Sequence, residues 1–407
     1  MVRVMPTWIV AIAVIVVLQT VSSTLSRVVP MLSPKFMAEF GWDEGWVGYL
    51  SAASVIGSLF VLTSGIGIFR RLGGVLAFQI TLLIGGISLL LYAVPSLAVA
   101  LIASVAIGLS NGAANPAGSE VLQRYTPAAW RNLVFSIKQA GVPLGGVIVG
   151  LAIPPVVDAF GWRATLTIAA AVLLAVTAAT WPLRKPIDSP RDPMLAQRFV
   201  SLRWTDIVVP LRALSRAPGL WRMSWVGCLL AWPQAVWVTF TATYLVVALD
   251  QSLAVAGLVF AAMQATSTAG RVLVGWIADR VATSTATLVL ASVASALSTM
   301  AFAFARPDWP IWALILVAAV GGISASGWNG VQIAEVARRS PPGLVAETAA
   351  GSVIMVYASN MLAPAAFAAF VAATGRFDVA FMLSGAVAMV CLPLLYGIDR
   401  APAKPGS

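Results

Sequence analysis

The sequence predicts an all-α polytopic membrane protein of about twelve transmembrane helices, arranged as two pseudo-symmetric six-helix bundles. Three observations predict this. Of 407 residues, 60% are hydrophobic and only 10% charged, with a mean hydropathy of +0.92, more apolar surface than a water-soluble chain of this length can cover. Apolar runs of roughly 20 residues, the length that crosses a bilayer as a helix, recur along the whole chain. The longest polar stretch, 184–218, falls near the middle.

The first span, 6–30, follows Arg3 and is long enough to cross. With no small-residue cleavage site apparent, it reads as a retained helix rather than a secretory leader. Spans 45–68, 72–94, 96–118, 132–155 and 163–183 complete the first bundle, separated by short polar or Pro/Gly-marked turns. The second bundle takes 219–248, 252–277, 284–305, 309–334, 345–372 and 377–397. All are too long and too uniformly apolar for the alternating strands of a barrel. The expected organisation is therefore an N-terminal bundle over 1–183, a cytoplasmic central loop over 184–218, and a C-terminal bundle over 219–407 with a short cytoplasmic tail. A loose repeat supports two halves: Asn111-Gly112, Glu120-Val121 and Pro127 return as Asn329-Gly330, Glu335-Val336 and Pro342. Chance similarity between two Gly/Ala-rich segments is the alternative.

Charge orients the chain. With both termini and the central loop on one side, that side carries roughly 18 Lys/Arg against about 4 opposite (Lys35, Arg163, Arg306, Arg376). The positive-inside rule makes it the cytoplasmic side of a bacterial inner membrane. The net charge of +10 thus reflects topology and anionic lipid headgroups, and no motif points to nucleic acid. Cys228 and Cys391 both sit in apolar runs and the chain has no histidine, so neither a disulfide framework nor a metal site nor an imidazole relay is expected. No cofactor is called for.

Polar side chains are unevenly distributed among the spans. Gln19 and Arg27 lie in the first, Asn111 and Asn115 in the fourth, and Lys138 and Gln139 in the fifth. Gln234 lies in the seventh, Gln264 and Arg271 in the eighth, Asn329 and Gln332 in the tenth, and Asn360 in the eleventh. Because a polar group in hydrocarbon must face protein or water, these spans should surround a cavity while the others face lipid. Three stripes at helical spacing carry the pattern: Gln234–Trp237–Thr241–Tyr244, Ser324–Trp328–Gln332 and Gln264–Thr268–Arg271. Interhelical hydrogen bonding that only holds the bundle together is the competing explanation for any one of them.

Gly275-Trp276-Ile277-Ala278-Asp279-Arg280, after the eighth span, resembles the Gly-x-x-x-Asp-Arg loop signature of the major facilitator superfamily. The resemblance covers nearly the whole chain and implies the major facilitator fold, a transport function rather than an enzymatic one, and a loop that braces helix ends during gating. There Gly275 would permit close packing, and Asp279 and Arg280 would cap and charge-pair helix termini. The first-half copy, Ser64 to Gly73, keeps Arg70 and Arg71 but has no Asp. Gly141, Pro143 and Gly145 are similar to the Gly/Pro-rich fifth-helix motif associated with exchangers, and form a bendable, close-packing helix in any case.

All 15 acidic residues fall in or near loops on this assignment, so the ionisable residues within the spans are all basic. A pump for cations or cationic drugs is expected to hold an acid in its cavity; basic residues favour an anion. Arg271 lies eight residues before Asp279, roughly 12 Å along the helix. Its setting resembles monocarboxylate and oxalate–formate transporters, in which an eighth-helix Arg binds the carboxylate, a task suited to a planar, permanently charged fork. A structural pair or a helix-end snorkel is the alternative. Lys138 either adds a second charge to the anion or braces the halves, and Arg27 near the outer end of its span either joins the site or snorkels. The eleventh helix reads Tyr357-Ala358-Ser359-Asn360-Met361, without the Lys of oxalate–formate exchangers, which argues against dicarboxylates of that type. Trp237, Tyr244, Trp328 and Tyr357 are candidate aromatic walls, with Gln234, Gln264, Gln332 and Asn360 as polar contacts. The expectation is a monomeric secondary transporter, symporter or exchanger, for a small anion, with protons or a counter-anion as coupling partner and a central cavity between the halves. A drug or metabolite exporter of the same fold is the alternative, and a non-transporting receptor a more distant one.

Overall fold

The computed structural model describes residues 7–64, 66–126, 131–188, 205–280 and 283–398. The chain resolves into two compact units, residues 1–203 and 204–407. The first holds α1 (Thr7–Phe40), α2 (Trp46–Ser64), α3 (Ile66–Leu72), α4 (Gly74–Leu89), α5 (Leu97–Tyr125), α6 (Arg131–Ala179) and α7 (Arg184–Asp188). The second holds α8 (Thr205–Ala213), α9 (Leu220–Thr243), α10 (Leu253–Arg280), α11 (Ser284–Ala303), α12 (Ile311–Arg339), α13 (Val345–Thr374), α14 (Phe377–Met389) and α15 (Cys391–Leu395). Among the described residues, 11 helices are long and apolar enough to cross a membrane. One of these, Ile137–Asp188, has 52 residues, and at about 1.5 Å per residue is long enough for two crossings of a ~30 Å hydrocarbon layer. Its backbone leaves helical geometry at Gly161 (φ 77°, ψ 162°), the left-handed side of φ that glycine adopts without penalty. The fifth and sixth expected spans are the two arms of this helix, which brings the protein to about twelve crossings. It is a multi-pass α-helical membrane protein.

The two units pack their helices in the same internal order. α1 lies on α5 and α6 as α9 lies on α12 and α13, α2 pairs with α5 as α10 pairs with α12, and α4 packs on α5 as α11 packs on α12. The α2–α5 and α10–α12 pairs are built the same way, by backbone approach across glycine. A Cβ on Gly108 would lie 1.8 Å from the Ser54 carbonyl oxygen, and one on Gly322 would lie 2.1 Å from that of Met263. With no hydrophobic force to join helices inside lipid, such small-residue contacts supply much of the dispersion energy of the bundle.

Four regions depart from the sequence reading at their boundaries. The first span was expected to stop at Pro30, but α1 runs through Pro30 and Pro34 to Phe40, because a membrane helix tolerates proline where neighbouring helices support the loosened backbone. The fourth and tenth spans also extend, so Glu120 and Glu335 sit inside helix ends rather than after them. The expected central loop is partly helical: α7 belongs to the first unit, and α8 packs on α13 of the second, Gly351 lying under the Pro210 carbonyl.

Candidate functional site

The face of α10 that carries Arg271 leaves two buried donors unbonded among the described residues. At about 100° per residue, Gln264, Ser267, Thr268 and Arg271 share an arc of about 100°. A second side of α10, with Met263, Thr266 and Gly270, is taken by the close approach of α12, and a third carries the exposed apolar residues Leu258, Val272, Leu273 and Trp276. Arg271 is half-buried, while Gln264 and Ser267 are 3% and 1% exposed. Hydroxyls of helical Ser and Thr ordinarily bond a carbonyl one turn back, as Thr266 does to Ala262 at 2.9 Å. Ser267 Oγ makes no such bond, and Gln264 Nε2 has no partner either, among the described residues. Buried polar groups left in this state cost about 1–3 kcal/mol each unless a further partner arrives.

The other two stripes are spent inside the second unit. Trp237 is fully buried, donates from Nε1 to Thr299 Oγ1 at 2.9 Å and stacks on Phe302 at 4.4 Å between centroids. Tyr244 donates to the carbonyls of Phe302 and Ala303 within a cluster that includes Phe377 and Phe381. Trp328 donates to the Ala325 carbonyl. Gln332 donates to the Met223 carbonyl at 3.2 Å and to Ser352 Oγ at 2.9 Å, joining α9, α12 and α13. The expectation that Trp237, Tyr244, Trp328 and Gln332 line a cavity is therefore revised: their polar atoms are committed and their bulk fills the core. Gln234 is half-buried and accepts from Asn329 Nδ2 at 3.3 Å. Tyr357 and Asn360 are half-buried on α13.

In the first unit Lys138 is 2% exposed and donates to Asn115 Oδ1 at 3.1 Å, its alkyl chain running over Gly118. Arg27 was placed near an outer end, but the longer α1 puts it mid-helix, where its guanidinium turns back to the Ser23 carbonyl and hydroxyl. The snorkelling expected of it has no helix end to reach. Gly141 and Gly145 are where α6 meets α1, against Gln19, Thr20, Ser23 and Thr24. Pro143 is buried between them, and Ser23 Oγ donates across to the Val142 carbonyl.

The loop signature is placed differently from expectation. A Cβ at Gly275 would meet open space, so close packing is not the reason for glycine there; that contact falls at Gly270, beneath Ile323. Asp279 and Arg280 end α10 and are exposed. Arg71 is half-buried near the end of α3, and the side chain of Arg70 lies outside the described residues. The carboxylate missing from this first-half loop is supplied from elsewhere: Asp188 on α7, 2% exposed, accepts from the backbone N–H groups of Val75 and Leu76 at 3.0 and 2.9 Å, capping the N-terminus of α4. Tyr125 Oη donates to the Pro186 and Ile187 carbonyls and fixes the same segment. Sequence reading missed Asp188 because its partners are 113 residues away; Ser267 was legible as the residue one turn after Gln264.

The family model of the Major Facilitator Superfamily matches residues 10–357 and, in a second match, 234–407. A probable chloroplastic anion transporter of Oryza sativa subsp. japonica is 28% identical over 60% of this chain and 42% of its own length. A probable sulfoacetate transporter of Cupriavidus necator is 25% identical over 69% of this chain and 68% of its own. The chain spans about half the length of the first curated relatives it matches. A solved bacterial homologue of the human lysosomal transporter Spinster superposes with a TM-score of 0.75 at 16% identity, covering 97% of this chain and 98% of that one, which establishes a shared fold.

Proposed function

The chain belongs to the Major Facilitator Superfamily, and on that premise we propose that it carries a small anion, an organic monocarboxylate, as a symporter or exchanger working by alternating access. The observation that carries the proposal is the Arg271 face of α10, a guanidinium beside buried donors within an apolar span. Every Asp and Glu in a described helix lies within about two turns of a helix end or of Gly161. With no acid deep in the spans, a cationic substrate would have no counter-charge there, whereas a carboxylate would meet a bidentate partner. The names of the rice and Cupriavidus relatives, an anion and a sulfoacetate transporter, support the same class. The proposed setting is a bacterial inner membrane with both termini in the cytoplasm, on the charge asymmetry of the loops.

Uptake of labelled small carboxylates and inorganic anions into proteoliposomes, under imposed pH and anion gradients, tests this. Wild type should accumulate an anion, and the gradient that drives it separates symport from exchange. Arg271→Gln should abolish uptake. If no anion moves, or if Arg271→Gln transports normally, the anion reading fails and export of an uncharged metabolite takes its place.

A further inference from the structure

We infer that the site on α10 recognises two separate groups of its substrate: the anionic head at Arg271 and a second hydrogen-bonding oxygen at Gln264 and Ser267. This rests on the anion reading and sharpens it, from small carboxylates in general to hydroxy, keto or otherwise oxygen-bearing organic acids. A simple alkanoate would use only half of the site.

The second unit carries three polar stripes at helical spacing. In two of them the buried tryptophan, tyrosine and Gln332 donors bond within the second unit, through Thr299, Ser352 and backbone carbonyls. The third differs: Gln264 Nε2 and Ser267 Oγ are both buried, both donors, and both without a bond among the described residues. Thr268, their neighbour on the same face, is already turned to the Gln264 backbone carbonyl at 3.5 Å. Along the axis Ser267 precedes Arg271 by about 6 Å and Gln264 precedes it by about 10 Å. A carboxylate held bidentately by the guanidinium has both oxygens engaged, so the donors one and two turns before it fit an acceptor elsewhere on the ligand. An amide N–H and a hydroxyl placed together recognise an uncharged oxygen, since the other cation of this helix, Arg280, is exposed at its far end. A site built to hydrogen-bond a substrate oxygen rejects the analogue that lacks it, because its own donors are then left buried and unpaired.

The test pairs pentanoate with 5-hydroxypentanoate as competitors of labelled-anion uptake in proteoliposomes of the full chain. The variants are Ser267→Ala, Gln264→Met, which keeps side-chain length, and Arg271→Gln, each checked for monodispersity before reconstitution. In wild type the hydroxy acid should compete about fivefold to tenfold better than the alkanoate, the worth of one or two hydrogen bonds. Ser267→Ala and Gln264→Met should erase that preference by weakening the hydroxy acid more than pentanoate, and Arg271→Gln should weaken both acids. Equal competition by the two acids in wild type would overturn the two-point inference while leaving the anion reading intact. So would a loss in Ser267→Ala and Gln264→Met that is the same for both acids, since that marks a packing role. Failure of wild type to move any anion would overturn both.

Discussion

The two units share a helix packing order but spend their polar residues differently. In the first unit the buried cation, Lys138, is met by Asn115 across the α5–α6 contact, and the last segment of the unit is tied down by a carboxylate, Asp188, on a helix N-terminus. In the second the last segment is held by arginines on carbonyl oxygens: Arg222 bonds Pro393 and Tyr396, and Arg339 bonds Ile398 while pairing with the buried Glu335 at 2.6 Å. In the second unit Arg271 shares its helix face with Gln264 and Ser267, whose buried donors are without a bond among the described residues. The two units thus share backbone contacts made across glycine and differ in the side chains, which determine what each can recognise.

The largest expected effect breaks the shared part. Gly108→Leu and Gly322→Leu should each leave little folded protein after detergent extraction, because the added side chain meets backbone at 1.8 or 2.1 Å and neither helix can retreat without losing its whole interface. Overpacking of this kind costs about 1–3 kcal/mol where neighbours can adjust, and more where they cannot. Fluorescence-detected size exclusion measures it; if one unit tolerates the change and the other does not, the two helix pairs are not equivalent.

Next comes the polar difference. Asn115→Leu removes the acceptor of a buried ammonium, and a destabilisation of about 1.5–3 kcal/mol follows, visible as a lower melting temperature in detergent. Lys138→Met, which removes charge and hydrogen-bonding need together, should melt close to wild type. A Lys138→Met protein that melts far lower than Asn115→Leu would show that the ammonium has partners beyond Asn115.

Asp188→Asn keeps shape but weakens the cap on α4 by about 1 kcal/mol, and should speed proteolysis after the sixth crossing without changing substrate affinity. Trp237→Phe, the smallest change, loses one hydrogen bond to Thr299 at about 1 kcal/mol and leaves anion uptake within about twofold of wild type. A strong transport defect there would return the aromatic stripe to the binding site.

Much of the fold was legible in the sequence, and for a physical reason: a bilayer demands long apolar helices, and apolar length is visible in composition. Helix ends were less so, since Pro30 and Pro34 are stops in water but not where neighbouring helices support the backbone, and the turn at Gly161 is a single residue. For the site, periodicity named the residues that share a face but not what that face meets. Gln234–Trp237–Tyr244 and Gln264–Thr268–Arg271 both follow helical periodicity, yet Trp237 and Tyr244 turn into aromatic packing with Phe302, whereas Gln264 keeps a buried donor unspent. The close-packed glycine expected at Gly275 was five residues from its real place at Gly270, because sequence shows glycine but not the backbone opposite. Asp188 lay beyond reach, a contact made by folding alone.

The most direct test of the account is equilibrium binding of a labelled organic acid to the purified protein, comparing wild type, Arg271→Lys, Arg271→Gln and Gln332→Ala at constant ionic strength. Arg271→Gln should lose binding by about a hundredfold, and Arg271→Lys, which keeps charge but not the bidentate geometry, should fall between. Gln332→Ala should bind as wild type does once its lower stability is allowed for. Full affinity in Arg271→Gln, with binding lost in Gln332→Ala, would contradict it and place recognition on α12 instead.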